Sequence, residues 1–349
     1  MNKVYNLIEK LDNVHSLSVD EYAFLIENFN SETLCLLNQK AVAVRQKIYG
    51  DKVFIRGLIE ISNICKNDCT YCGIRCSNSA CERYRLTPEQ ILECCDDGYS
   101  LGFRTFVMQG GEDPFYTDEI LCKIISEIKR RYPDCAVTLS LGERSGESYQ
   151  QLYNAGADRY LLRHETADEE HYGKLHPKEM LFDNRMECLK NLREIGFQTG
   201  CGFMVGSPYQ TVECLAKDLK FIEEFQPDMC GTGPFIPHAA TPFRDMPAGS
   251  VELTCYLLSI IRLIKPNILL PATTALGSLE EGGREKGILS GANVIMPNLS
   301  PLSERKKYEL YNNKLSSGGE SAQEIEKLSI SMKNIGYRIV TERGDIIKQ

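Results

Sequence analysis

Eight short runs rich in β-forming residues, at 53–61, 104–109, 136–141, 159–163, 198–204, 229–233, 268–271 and 293–296, are separated by gaps long enough for a helix. Such alternation carries parallel strands through crossover helices. It predicts an α/β protein with a complete (βα)8 TIM barrel, ahead of an open doubly wound sheet. The gaps show the helical period: Val212, Leu215, Leu219, Ile222 and Phe225 form one apolar stripe after Thr211. Thr87-Pro88-Glu89-Gln90 supplies a capping hydroxyl, a proline at the first helical position and a glutamine three residues after the cap, which marks a helix start. Before the first run, Leu7, Ile8 and Leu11, then Tyr22, Leu25 and Ile26, recur at helical spacing. The chain therefore divides into an N-terminal helical extension (1–50), the barrel (51–300) and a polar, helical C-terminal segment (301–349) that closes on it.

Forty basic residues face 48 acidic ones, a net charge of −8, so neither nucleic acid nor an anionic membrane is an expected partner. Residues 1–20 hold no continuous apolar core and no small-residue cleavage site, so they do not read as a secretory signal. The greasiest stretch, 256–272, is broken by Arg262, Lys265 and Pro266 and spans no membrane. The expected location is the cytoplasm. There the 15 cysteines stay reduced, and metal or redox chemistry is their expected use rather than a disulfide framework.

Directly after the first run comes Cys65-Lys66-Asn67-Asp68-Cys69-Thr70-Tyr71-Cys72. Three thiolates so close in a polar loop can converge on one iron–sulfur cube and leave one iron without a protein ligand. That open position is what a catalytic metal site keeps. Two other uses remain open from the residues alone. A zinc site needs a fourth ligand, and the next histidine beyond the run is His164. Cys76 would complete an electron-transfer cluster, because Cys69, Cys72 and Cys76 repeat part of a ferredoxin spacing.

Barrel chemistry gathers where strands exit at their C-terminal ends. Gly110-Gly111-Glu112-Asp113 leaves backbone groups uncovered for an amino-acid head group, or simply makes a tight turn. Alternation puts Leu161, Arg163 and Glu165 on one face, with Leu162 and His164 on the other. Apolar helices cover the second face, so the charged face looks into the barrel mouth. Glu165 there suits ribose hydroxyls, and Arg163 or Arg185 suits a carboxylate, unless the charges form a buried structural pair. His164 is left to pack outward. Val137, Leu139 and Leu141 face the helices, whereas Thr138 and Ser140 face the lumen; Thr273, Thr274 and Met296 leave the last two strands. Hydroxyls with one arginine make a cavity for a polar or anionic ligand, although each hydroxyl alone is also ordinary barrel filling.

The cysteine run, with Tyr71 before its last thiol, resembles the signature of the radical S-adenosylmethionine (SAM) superfamily. The resemblance implies that Cys65, Cys69 and Cys72 hold a catalytic 4Fe–4S cluster whose fourth iron is chelated by the amine and carboxylate of SAM. It also implies reductive cleavage of the sulfonium to methionine and a 5′-deoxyadenosyl radical, fed by a reductant such as ferredoxin or flavodoxin. Further strings are similar to the HydE family of FeFe-hydrogenase maturases: 160–166, 233–238, 271–275, 282–285 and 291–298. This likeness, from about residue 20 to the tail, implies that Tyr71, Gly110, Gly111, Glu112, Glu165, Arg185 and Met204 surround the nucleotide. It implies that Thr138, Arg163, Thr273, Thr274 and Met296 line a cavity for a small-molecule or organometallic substrate, a cysteine-bound iron carbonyl–cyanide precursor supplied by another hydrogenase maturase. Some relatives carry a second cluster on C-terminal cysteines; 311–349 contains none, and Ser316 and its neighbours stand there. Methylornithine synthase is disfavoured by the exits at 272–275 and 296–298. Biotin synthase is disfavoured because Cys135, Cys201 and Cys230 are no inward set for a sacrificial cluster. A non-catalytic electron carrier would need neither the double glycine nor the charged mouth.

Overall fold

Three helices open the chain, α1 (Asn2–Val14), α2 (Val19–Glu27) and α3 (Ser31–Tyr49), in a computed structural model that describes residues 2–315 and 322–347. Ser316 lies outside the described residues. Ser18 and Asn30 cap α2 and α3 through reciprocal bonds with Glu21 and Thr33. Glu223 ties this extension to the body by accepting from Ser16 Oγ and Tyr22 Oη, both at 2.7 Å, and from the Leu17 amide at 3.1 Å.

The first β run breaks at Arg56 into β1 (Lys52–Ile55) and β2 (Gly57–Ser62). Helices and strands then follow as α4 (Pro88–Ser100), β3 (Thr105–Gly110), α5 (Asp118–Arg131), β4 (Ala136–Ser140), α6 (Gly146–Asn154), β5 (Arg159–Leu161), α7 (Glu169–Leu175), α8 (Phe182–Ile195) and β6 (Gln198–Cys201). The remainder is β7 (Met204–Val205), α9 (Val212–Phe225), β8 (Met229–Cys230), β9 (Gly233–Pro234), α10 (Val251–Ile264), α11 (Thr274–Leu279), α12 (Gly283–Ile288), β10 (Val294–Ile295), α13 (Leu302–Arg305), α14 (Ile325–Asn334) and β11 (Arg338–Val340). The expected capping box forms: Thr87 and Gln90 exchange bonds, with Pro88 at the start of α4.

Strands β2-β3-β4-β5-β6-β8 make one parallel sheet in that order. Single parallel bridges carry pairing from Met229 to Leu269, from Pro271 to Val294 and from Asn298 to Leu58. The run at 268–271 thus contributes bridges without forming a strand of its own.

One expectation about the tail is corrected. It is not purely helical, because β11 lies parallel to β1, which has β10 on its other side. Once β2 departs into the six-stranded sheet, β1 needs another partner for its backbone groups, and β11 supplies it.

The strand faces divide as alternation predicts. Val137 and Leu139 join the helix-side core with Phe106, Met108 and Tyr160, which leaves Thr138 for the lumen. C-terminal residues seal the opposite end of the sheet: Arg159 donates to Thr105 Oγ1 at 3.0 Å, to the Arg343 carbonyl at 2.9 Å and to Asp345 at 2.5 Å. Among the described residues no helix is long and apolar enough to cross a membrane.

Candidate functional site

The cysteine loop leaves β2 and is tacked down along its length. Arg83 donates to the carbonyls of Asn63, Ile74, Arg75 and Asn78 at 2.6–3.1 Å. Asn63 donates to Glu82 and Lys307 carbonyls, and Asp68 pairs with Arg75. The loop is therefore held by charge-assisted bonds rather than by apolar burial. Cys65, Cys69 and Cys72 are half-buried, and Cys76 is exposed. Burial first, then the neighbouring thiols, raises Cys69 well above the usual thiol range, and burial pushes Cys72 up to about 12. Thiols so placed ionise on binding a metal centre and are poor free nucleophiles. The donor set fits a cube, whose corners separate its thiolates. Among the described residues, no three His, Cys, Asp or Glu side chains are gathered to hold a metal ion.

Gly111 sets the loop against β3. A Cβ there would lie 2.3 Å from the Ile64 carbonyl oxygen and 2.7 Å from Cys65 Cβ. The glycine thus admits the cysteine backbone, and the next amide, of Glu112, points at Cys65 Sγ from 3.4 Å.

From Glu112 a chain of polar contacts crosses successive strand exits. Lys66 pairs with Glu112 at 3.0 Å, and the Glu143 amide donates to Glu112 at 3.0 Å. Arg185 on α8 donates to Glu143 at 2.6 Å and to the Arg163 carbonyl at 2.5 Å. Arg163 Nη2 and Glu165 Oε2 form an ion pair at 3.0 Å, the pairing the sequence left open, while Arg163 Nε has no hydrogen-bond partner. Glu165 adopts a left-handed conformation, φ 65°, and its amide donates to Gly202 at 3.0 Å. A cavity of about 390 Å3 opens beside Lys66, Glu112, Asp113, Glu143, Arg144 and Ser148. On the far wall Tyr71 packs with Met204, Leu175, Phe235 and Phe243, and its hydroxyl lies 3.3 Å from His176 Nε2.

The lumen beneath carries the hydroxyls read from the sequence. Thr138 Oγ1 and Thr273 Oγ1 are buried without a partner. Thr273 caps α11 without spending its side chain, and a Cβ on Gly233 would come within 2.6 Å of it. Thr274 starts α11, and Met296 packs with the apolar group of Phe54, Met229, Leu269 and Val294. His164 packs outward as expected: it is buried near Phe203 and Phe221, its Nδ1 accepts from the Gly202 amide, and Nε2 is 3.3 Å from Asp218.

Sequence reasoning gave no role to Glu60, Lys314 or Glu143. Glu60 is wholly buried and pairs with Lys314, while Asn298 donates to it at 2.8 Å. The alternation that placed Thr138 could also have placed Glu60, between Leu58 and Ser62; nothing local announces Lys314 or Glu143. Residues 308–315 form a strap over the mouth. The Gly73 amide donates to Leu310 at 2.9 Å, the Asn312 amide to Pro237 at 3.1 Å, and Lys314 to the Tyr308 carbonyl at 3.0 Å.

A match to the radical SAM superfamily covers residues 59–222. The chain is 47% identical over 272 residues to the FeFe-hydrogenase maturase subunit HydE of Thermotoga maritima, covering 78% of this chain and 77% of that one. It is 29% identical over 306 residues to 3-methylornithine synthase of Methanosarcina acetivorans, with 86% of each chain covered. The crystal structure of methylornithine synthase (PylB) superposes with a TM-score of 0.84 at 26% identity, over 96% of this chain and 97% of the other.

Proposed function

The chain belongs to the radical SAM superfamily and within it to the HydE family, and from that membership we propose that it acts in maturation of the FeFe-hydrogenase active site. It is an enzyme that uses a 4Fe–4S cluster and SAM. When bound and reduced, the cluster supplies the electron that opens the sulfonium of SAM. We assign its ligands to Cys65, Cys69 and Cys72, in the loop braced by Arg83 and seated against Gly111.

Tyr71, Gly110, Gly111, Glu112, Glu165, Arg185 and Met204 hold the nucleotide in this reading. Arg185 is aimed by Glu143, and the Glu165 carboxylate, held by Arg163, has the acceptor capacity that ribose hydroxyls need. Thr138, Arg163, Thr273, Thr274 and Met296 receive the substrate, a small or organometallic molecule, with free hydrogen-bonding capacity on Arg163 Nε and on the hydroxyls of Thr138 and Thr273. The strap at 308–315 keeps water from the mouth. The single bridges Met229–Leu269, Pro271–Val294 and Asn298–Leu58 support a complete (βα)8 barrel over 51–300, with 1–50 as an extension and 301–349 as a closing segment. Expected partners are the other hydrogenase maturases and a ferredoxin or flavodoxin, in the cytoplasm.

The observation that carries the reading is the likeness to the Thermotoga maturase. Methylornithine synthase shares the fold closely, so fold does not choose between the two. The test uses anaerobically reconstituted protein with dithionite and SAM. We expect 5′-deoxyadenosine from the wild type, none from C69S, and restored hydrogenase activity when the protein is added to a maturation mixture lacking its HydE. Deoxyadenosine without restoration would refute the maturation role, and turnover of lysine would favour the methylornithine reading.

A further inference from the structure

Glu165 holds φ 65° at the exit of β5. A residue with a side chain keeps that conformation only where its surroundings over-determine it. What fixes it lies behind the mouth, on the helix side. The Glu165 amide donates to the Gly202 carbonyl at 3.0 Å, and the Gly202 amide donates to His164 Nδ1 at 3.2 Å. With Nδ1 accepting, the neutral ring carries its proton on Nε2, which lies 3.3 Å from Asp218 Oδ1. The same oxygen accepts from the Ala167 amide at 2.5 Å. One carboxyl oxygen on α9 thus grips the chain on both sides of Glu165 and Thr166. One residue earlier on α9, Lys217 pairs with Asp168 at 2.7 Å, which carries the grip into the cap of α7.

The side chains of His164 and Asp218 are both 0% exposed, and the imidazole packs near Phe203 and Phe221. Apolar residues of the same shape would often hold a helix to a sheet as firmly as such a buried polar pair. They would leave the Gly202 and Ala167 amides without acceptors, and the turn at Glu165 without its frame. The pair therefore adds direction rather than cohesion to this strand exit.

We propose that His164 and Asp218 are positioning residues for SAM: through Gly202 and Ala167 they hold the Glu165 backbone in the turn that keeps its carboxylate in the barrel mouth. The inference rests on the assignment of Glu165 to the nucleotide made above.

SAM binding to reconstituted holoenzyme is measured by equilibrium dialysis, beside iron content. D218L offers a similar volume without an acceptor and should bind SAM about tenfold more weakly, the loss expected for one hydrogen bond to a charged group. Its iron content should match the wild type. D218N keeps Oδ1, and because Asp218 Oδ2 has no partner the new amide displaces no bond, so SAM affinity should be restored. H164F keeps a ring against Phe203 and Phe221 and leaves the Ala167 bond in place. It should weaken SAM as D218L does, and it carries the test if D218L folds poorly. The decisive comparison adds each change to E165A. A residue that acts through Glu165 then has nothing left to position, so E165A/D218L and E165A/H164F should bind SAM as E165A does. Additive losses, undiminished affinity in D218L and H164F, or a loss in D218N equal to that in D218L overturn the positioning role. E165A binding SAM as tightly as the wild type would instead defeat the assignment of Glu165 itself, which separates the two failures.

Discussion

Gly111 is the position where one methyl group should do most damage for its size. An alanine Cβ would sit 2.3 Å from the Ile64 carbonyl oxygen and 2.7 Å from Cys65 Cβ, both in or beside the cysteine loop. The first obstacle is backbone, so no side-chain rotation relieves it, and the loop must move away from β3. Overpacking of this kind costs about 1–3 kcal/mol. With an unfolding entropy of roughly 2.1 cal/mol/K per residue, a 2 kcal/mol loss lowers the melting temperature by about 3 °C. The larger consequence is local, because displacing Cys65 also stretches its contact with the Glu112 amide, now 3.4 Å. G111A should therefore reconstitute with markedly less iron and absorb weakly near 400 nm, in excess of its small thermal penalty. Gly110 is the internal control: its Cβ would meet the Ser62 carbonyl at 3.2 Å, a contact relieved by a shift of a few tenths of an ångström. Iron content measured by colorimetric assay, beside thermal unfolding, separates the two variants. A G111A protein that melts like the wild type and binds a full cluster would refute the close-approach argument.

Three further outcomes follow from buried polar groups. T138V replaces an unpaired lumen hydroxyl with a methyl, so it should raise ligand-free stability by up to about 1 kcal/mol while slowing turnover; destabilisation in urea titration would contradict this. K314M leaves the wholly buried Glu60 carboxylate without its cation and should cost about 3–5 kcal/mol, largely recovered in E60Q/K314M; additive losses would show that the pair is not coupled. Burial, with Arg185 and His171 nearby, holds His176 down to about 3. Its folded value thus lies below the unfolded one near 6.5, so the stability it contributes is present above pH 6.5 and lost as pH falls toward 3. At pH 5 the loss is about 2 kcal/mol, from 1.36 kcal/mol per pH unit. Denaturant midpoints at pH 7 and 5 should converge in H176Q, and an unchanged slope would overturn the assignment. Burial also lowers His164 and raises Asp218, so the His176 contribution is read from the difference between wild type and H176Q, in which that pair is common to both.

What was legible in the sequence was what depends on near neighbours in the chain. The spacing of Cys65, Cys69 and Cys72 confines three thiols to one loop whatever the fold does. Alternation over a short strand and its exit was enough to turn Arg163 inward and His164 outward, even though the regular strand stops at Leu161. Gly111 was legible as special, but for an incomplete reason: the cysteine backbone closes on it, and that approach is created only when the exits of β2 and β3 meet. The residues that went unread act across larger separations. Glu143 matters because α8 brings Arg185 beside it, 42 positions later, and Glu60 matters because Lys314 arrives from 254 positions away. β11 escaped for the same reason, since its partner β1 lies at the other end of the chain. The division is physical. Groups that hold a ligand must converge and leave periodic or clustered traces, whereas groups that aim them need only one contact each. Such a contact can be supplied from anywhere the chain returns, so these residues become visible only after the strands and the tail have been placed.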